Sequence, residues 1–184
     1  MKKIFLFFAA VAMTAGVMSA QDINQATEAY NNGAMELQMG NNAAAVENFK
    51  TALTMGEALG DEGADLVANC KKAISSAYLS MAKDLYNAKD FDGAVTAFQQ
   101  AKEVAEGYGE AEIAAEAGEL IGQTEMLKYN TAGKEAMKAK DYPTAIANFS
   151  KVLEMDPENG NVALQLGQAY MRANQFPEAI AALE

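Results

Sequence analysis

Apolar residues recur along this chain at spacings of three and four, which place them on one face of a helix. Leu66, Cys70, Ile74, Ala77, Met81 and Leu85 form the longest such stripe; no glycine or proline breaks it, and it predicts one long helix over 62–88. Shorter stripes occur four times in a shared form. A polar residue suited to start a helix (Asn41, Asp90, Asp141 or Gln175) is followed four residues later by alanine and a branched aliphatic: Ala45-Val46, Ala94-Val95, Ala145-Ile146 and Ala179-Ile180. In the first three, a phenylalanine stands four residues further on (Phe49, Phe98, Phe149), with Ala52, Ala101 or Val152 three beyond it. An aromatic follows the starter in three of the four, as Phe91, Tyr142 and Phe176, whereas the first has Asn42. Turns are predicted at Gly60-Asp61-Glu62-Gly63, Gly107-Tyr108-Gly109 and Asp156-Pro157-Glu158-Asn159-Gly160.

Upstream of each stripe a second helix is predicted, with a small residue near its middle: Gly33, Ala82, Gly133 and Gly167. A small side chain there lets two antiparallel helices touch. This recurring pair resembles the tetratricopeptide repeat, a helix-turn-helix unit of 34 residues. The last two units match best, through Tyr129, Gly133, Tyr142, Ala145, Phe149 and Pro157, then Leu166, Gly167, Tyr170, Phe176 and Ala179. The resemblance implies an all-α fold, a right-handed superhelical array of antiparallel helix pairs. Its units would lie at about 26–59, 75–108, 126–159 and 160–184 within a domain over 21–184. The spacing departs from the family: Ala145 to Ala179 is 34 residues, but Ala45 to Ala94 is 49 and Ala94 to Ala145 is 51. The excess corresponds to roughly 22–26 Å of added helix. Either the first helices of the second and third units are lengthened, or a separate helix is inserted; over 110–139, Gly118 and Gly122 leave both open. The chain stops about two turns into the second helix of the last unit, which is expected to be incomplete, the sequence being truncated or that unit frayed or completed by another chain.

Composition narrows the chemistry. Hydrophobic residues make up 51%, much of it alanine, while aromatics reach 8% and tryptophan is absent, which suits thin, closely packed helices. Histidine is absent altogether, and with it histidine-dependent nucleophile pairs and most zinc or haem sites. The single cysteine, Cys70, lies within the long apolar stripe and is expected to be packing, not redox chemistry. At the N-terminus, Lys2 and Lys3, the apolar run Ile4–Met18 and the small residues Ser19-Ala20 read as a signal peptide over 1–20, cut after Ser19 or Ala20. Export to the periplasm or outside a bacterium of Gram-negative type is therefore expected. Losing the two lysines takes the net charge from −11 to −13, which disfavours nucleic acid and anionic lipid as partners.

No cofactor, metal or catalytic group is expected. Asp90-Phe91-Asp92-Gly93 has part of a calcium-loop spacing, but the ligand positions after it are Ala94, Thr96 and Ala97 and no glutamate closes the loop, so helix capping accounts for it. The family resemblance implies that first helices line a concave groove for a peptide or partner protein. Carried onto this chain by position, it points to Lys83 and Tyr86, to Asn130, Lys134 and Lys138, and to Gln168 and Arg172. Such side chains suit a carboxylate or an extended backbone, although the asparagine and lysine pattern of the family's carboxylate-binding members is not reproduced. The expected function is a non-enzymatic interaction scaffold of the cell envelope. Two alternatives stand beside it: the helical domain of a larger exported enzyme, and a self-assembling structural protein.

Overall fold

The computed structural model describes residues 20–183, so the signal-peptide reading falls outside the described residues except at Ala20. Among the described residues eight α-helices follow one another: α1 (Ala20–Gln38), α2 (Asn42–Ala58), α3 (Ala64–Asn87), α4 (Phe91–Tyr108), α5 (Ala111–Ala139), α6 (Tyr142–Met155), α7 (Gly160–Arg172) and α8 (Phe176–Ala181). No strand occurs among the described residues, and no helix there is long and apolar enough to cross a membrane. Each helix packs chiefly on the one before and the one after it, with lesser contacts of α3 to α1 and α5. That is the organisation of a stacked repeat.

The stacking follows from the stripes. Ala45, Phe49 and Ala52 of α2, Ala94, Phe98 and Ala101 of α4, and Ala145, Phe149 and Val152 of α6 are all buried. Each phenylalanine centres a separate cluster: Phe49 with Cys70 and Ile74, Phe98 with Leu79 and Ala82, Phe149 with Val162 and Leu166. Gly33 and Gly133 serve the same purpose one hundred residues apart. A Cβ on Gly33 would lie 2.7 Å from Phe49 Cδ1, and one on Gly133 would lie 2.6 Å from Phe149 Cε1. Glycine lets the ring lie directly on the neighbouring helix backbone.

The turns within the four pairs are built alike. Gly40, Lys89, Lys140 and Asn174 all have φ near +60 to +80° (80°, 63°, 63° and 61°). The amide of the next residue donates back to Glu36, Leu85, Ala136 or Tyr170, closing a Schellman motif in each case. Asp90 and Asp141 then cap the following helices, accepting from the amides of Gly93 at 3.0 Å and Thr144 at 3.2 Å. Hydrogen bonding from Thr144, by its hydroxyl first and its amide second, holds the Asp141 carboxyl below its ordinary range. The cap also accounts for the calcium-like spacing around Asp90.

The extra residues between units are continuous helix. α3 runs 24 residues and α5 runs 29. Gly118 and Gly122 do not break α5; each costs only about 1 kcal/mol of helix propensity, and Ala114 and Ala117 beside them are buried. Ion pairs also join α5 to its neighbours, with Lys83 of α3 holding Glu116 at 2.6 Å and Lys128 holding Asp92 of α4. Gly107 lies inside α4, contrary to the turn read there, and the chain reverses at Gly109, where φ is 79°. Gly60–Gly63 forms a single 3-10 turn that leads directly into α3.

Cys70 is fully buried beside Phe49 and Ile74, and burial pushes its thiol up to about 11. A thiolate is the reactive form. Iodoacetamide at pH 8 is therefore expected to leave native protein unmodified and to label Cys70 fully in denaturant, as intact mass would record; rapid native labelling would contradict its burial.

Candidate partner-binding groove

The second half of α5 presents Asn130, Lys134 and Lys138 at four-residue intervals, so they share one face of the helix. On α7, Gln168 and Arg172 are related in the same way. α6 lies between these helices in sequence and packs on both, and its Phe149 occupies the gap. The outcome is a groove of about 260 Å³ lined by Lys134, Met137, Lys138, Phe149, Gln165 and Gln168. Three of the sequence-predicted residues, Lys134, Lys138 and Gln168, thus come together. Arg172 is exposed one turn beyond Gln168, and Asn130 stands one turn before Lys134; neither belongs to the lining. Lys83 and Tyr86 of α3 stand apart. Lys83 is paired with Glu116, and the Tyr86 ring meets Phe91 edge-on with centroids 6.1 Å apart.

The groove lining holds two lysines and no acidic residue. Lys50, Lys83, Lys102, Lys128 and Lys151 each lie within ion-pair reach of an acid. Lys134 and Lys138 have no such partner among the described residues, so two ammonium groups face solvent together in a protein of net charge −11. Two acceptors complete the picture. Gln165 Nε2 donates to the Asn161 carbonyl at 3.2 Å, which leaves its Oε1 buried without a donor, and Asn130 Oδ1 is in the same state. Gln165 was not among the residues singled out from sequence, although it lies three before Gln168 on the same helix. Cations beside unsatisfied acceptors match the chemistry of a polypeptide, which carries carboxylates and backbone N–H groups together.

An all-α stack of helix pairs with capped turns and a groove between first helices defines the class to which the chain belongs by architecture. A tetratricopeptide repeat family model matches residues 136–184, the stretch holding the last turn of α5 together with α6, α7 and α8. The fold is tetratricopeptide-like. Among solved structures, the crystal structure of MamA protein is 17% identical over 86% of this chain and 88% of its own, with a TM-score of 0.26. No curated protein matches the sequence.

Proposed function

We propose that the protein is an envelope scaffold that holds a partner polypeptide in the groove between α5 and α7. Repeats of this kind support protein interaction in general. The more specific reading rests on one observation: Lys134 and Lys138, both without an ion-pair partner, line the same groove as Gln168 and the buried, donor-less Oε1 of Gln165. The lysines take a carboxylate of the partner, and the amide oxygen of Gln165 takes one of its N–H groups. The basic n-region and apolar run at the N-terminus support export, so the partner belongs to the periplasm or the cell exterior.

The chain from residue 21 onward, used as bait in envelope extract beside the variant Lys134→Glu/Lys138→Glu/Arg172→Glu, tests this. All three side chains are exposed, so the variant retains its helices. A discrete protein captured by the parent is expected to fall at least about tenfold in the variant, and to wash off as salt is raised. Equal capture by both baits, or none by the parent, removes the groove from consideration as a binding site.

A further inference from the structure

The first unit differs from the other three at the first residue of its second helix. α4, α6 and α8 begin with Phe91, Tyr142 and Phe176, but α2 begins with Asn42. This polar residue is only 7% exposed. Beside it a groove of about 720 Å³ opens between α2, α3 and α4, with Tyr78, Met81 and Leu85 of α3 supplying apolar wall and Asp84 the sole charged residue in the lining. Asn42 Nδ2 donates to Asp84 Oδ2 at 2.9 Å. Because a carboxylate only accepts, that bond sets which way the Asn42 amide points. Its Oδ1 is then buried and meets no donor among the described residues. A buried acceptor left in this state has given up its hydrogen bonds to water without replacement, and Asp84 next to it has no salt-bridge partner among the described residues.

One carboxylate and one orphan amide oxygen, backed by an aromatic and two flexible aliphatic side chains, define a complementary ligand. It must present several donors in a rigid array, carry positive charge and have an apolar stem. We propose that this groove is a second recognition site, which takes an arginine side chain of a partner polypeptide. The guanidinium reaches Asp84 and Asn42 Oδ1 at once, and its methylene stem lies along Met81 and Leu85. Lysine carries the charge on a compact, strongly hydrated head; the planar guanidinium is more weakly hydrated and also lies flat against an aromatic ring such as Tyr78. Lys50, which faces Tyr78, is paired with Glu47 at 3.4 Å and does not oppose the incoming charge. The overall charge of −11 steers cations toward the protein. This groove shares no residue with the one between α5 and α7, so the two sites stand or fall separately.

The test is a titration of the 184-residue chain with a capped glycine-arginine-glycine tripeptide, followed by NMR at the Asn42 side-chain amide and the Met81 methyl. Saturable shifts are expected, with a dissociation constant on the order of 1 mM. Binding is expected to weaken at least about tenfold when citrulline, the uncharged counterpart, replaces arginine, and by as much in Asp84→Asn. Asp84→Asn is a surface change that keeps an acceptor for Asn42, and an unchanged amide spectrum elsewhere verifies its fold. Lys134→Glu/Lys138→Glu is expected to bind the tripeptide as the parent does. Signals that stay still, citrulline or lysine tripeptides that bind as well as arginine, or an Asp84→Asn variant that binds normally would each overturn the assignment.

Discussion

Phe149→Ala is expected to destabilise the protein by about 3–5 kcal/mol, the range for emptying a fully enclosed phenylalanine site. The upper part of that range applies here for a geometric reason. One side of the ring faces the bare backbone of Gly133, where no side chain exists to move into the space; the other faces Ala145, Val152, Val162 and Leu166, all buried and close-packed. Because contacts run between successive helices, the damage falls on α5, α6 and α7. Urea unfolding followed by circular dichroism is expected to split, with the α5–α7 region melting before the cluster around Phe49. Phe149 also floors the groove beside Lys134 and Lys138, so capture of a partner should fall together with stability. A loss under about 1 kcal/mol would mean that the two helices close over the cavity, and that Gly133 is not the rigid floor its contacts indicate.

The fold was legible where a periodic pattern sufficed. The alanine and phenylalanine stripes of α2, α4 and α6 are buried because their spacing is helical, and Gly33 and Gly133 meet rings because a phenylalanine opposite needs a gap. Glycine as punctuation was less dependable. The Gly107-Tyr108-Gly109 cluster looks like a turn, yet α4 continues through Gly107 because Val104 and Tyr108 pack on the first cluster, and only Gly109 takes a left-handed backbone. The left-handed turns at Lys89 and Lys140 carry no residue signal, since the Schellman hydrogen bonds are made by backbone.

In the candidate site, helical spacing placed Lys134 and Lys138 on one face, and their union with Gln168 follows from the packing of α5 and α7 on α6. Lys83 looked equivalent by position. It is neutralised by Glu116 because α5 extends an extra four turns or so across α3, and this ion pair depends on tertiary placement. The unsatisfied oxygens of Asn42, Asn130 and Gln165 were invisible for the same reason: burial of an amide atom is decided by neighbours distant in sequence.

Gly63→Ala is the second change expected to have a large effect, and its cost comes from one contact. The backbone there is ordinary, with φ −91° and ψ −3°, so any residue adopts it without strain. A Cβ at this position would lie 2.0 Å from the Gly56 carbonyl oxygen, 2.8 Å from its carbon and 2.9 Å from Leu59 Cβ. These are mostly backbone atoms of the last turn of α2, tied by the Leu59 amide to Met55 and Gly56, so no side-chain rotation relieves the overlap. The junction must open, at a cost of about 3 kcal/mol, the upper end for overpacking a closed site. Since α3 continues directly from this turn, the opening re-aims α3 against α2 and separates Asn42 from Asp84 at the far end of the pair. Gly60→Ala provides the contrast: φ is +60° there with nothing within 4 Å of a Cβ, so only the left-handed backbone cost of about 1 kcal/mol applies. Urea midpoints of the two variants are therefore expected to separate clearly, with arginine-peptide binding lost in Gly63→Ala and retained in Gly60→Ala. If Gly63→Ala unfolds within about 0.5 kcal/mol of the parent, the close approach of α2 and the 3-10 turn does not set the direction of α3, and the Asn42–Asp84 groove must be held by α4 instead.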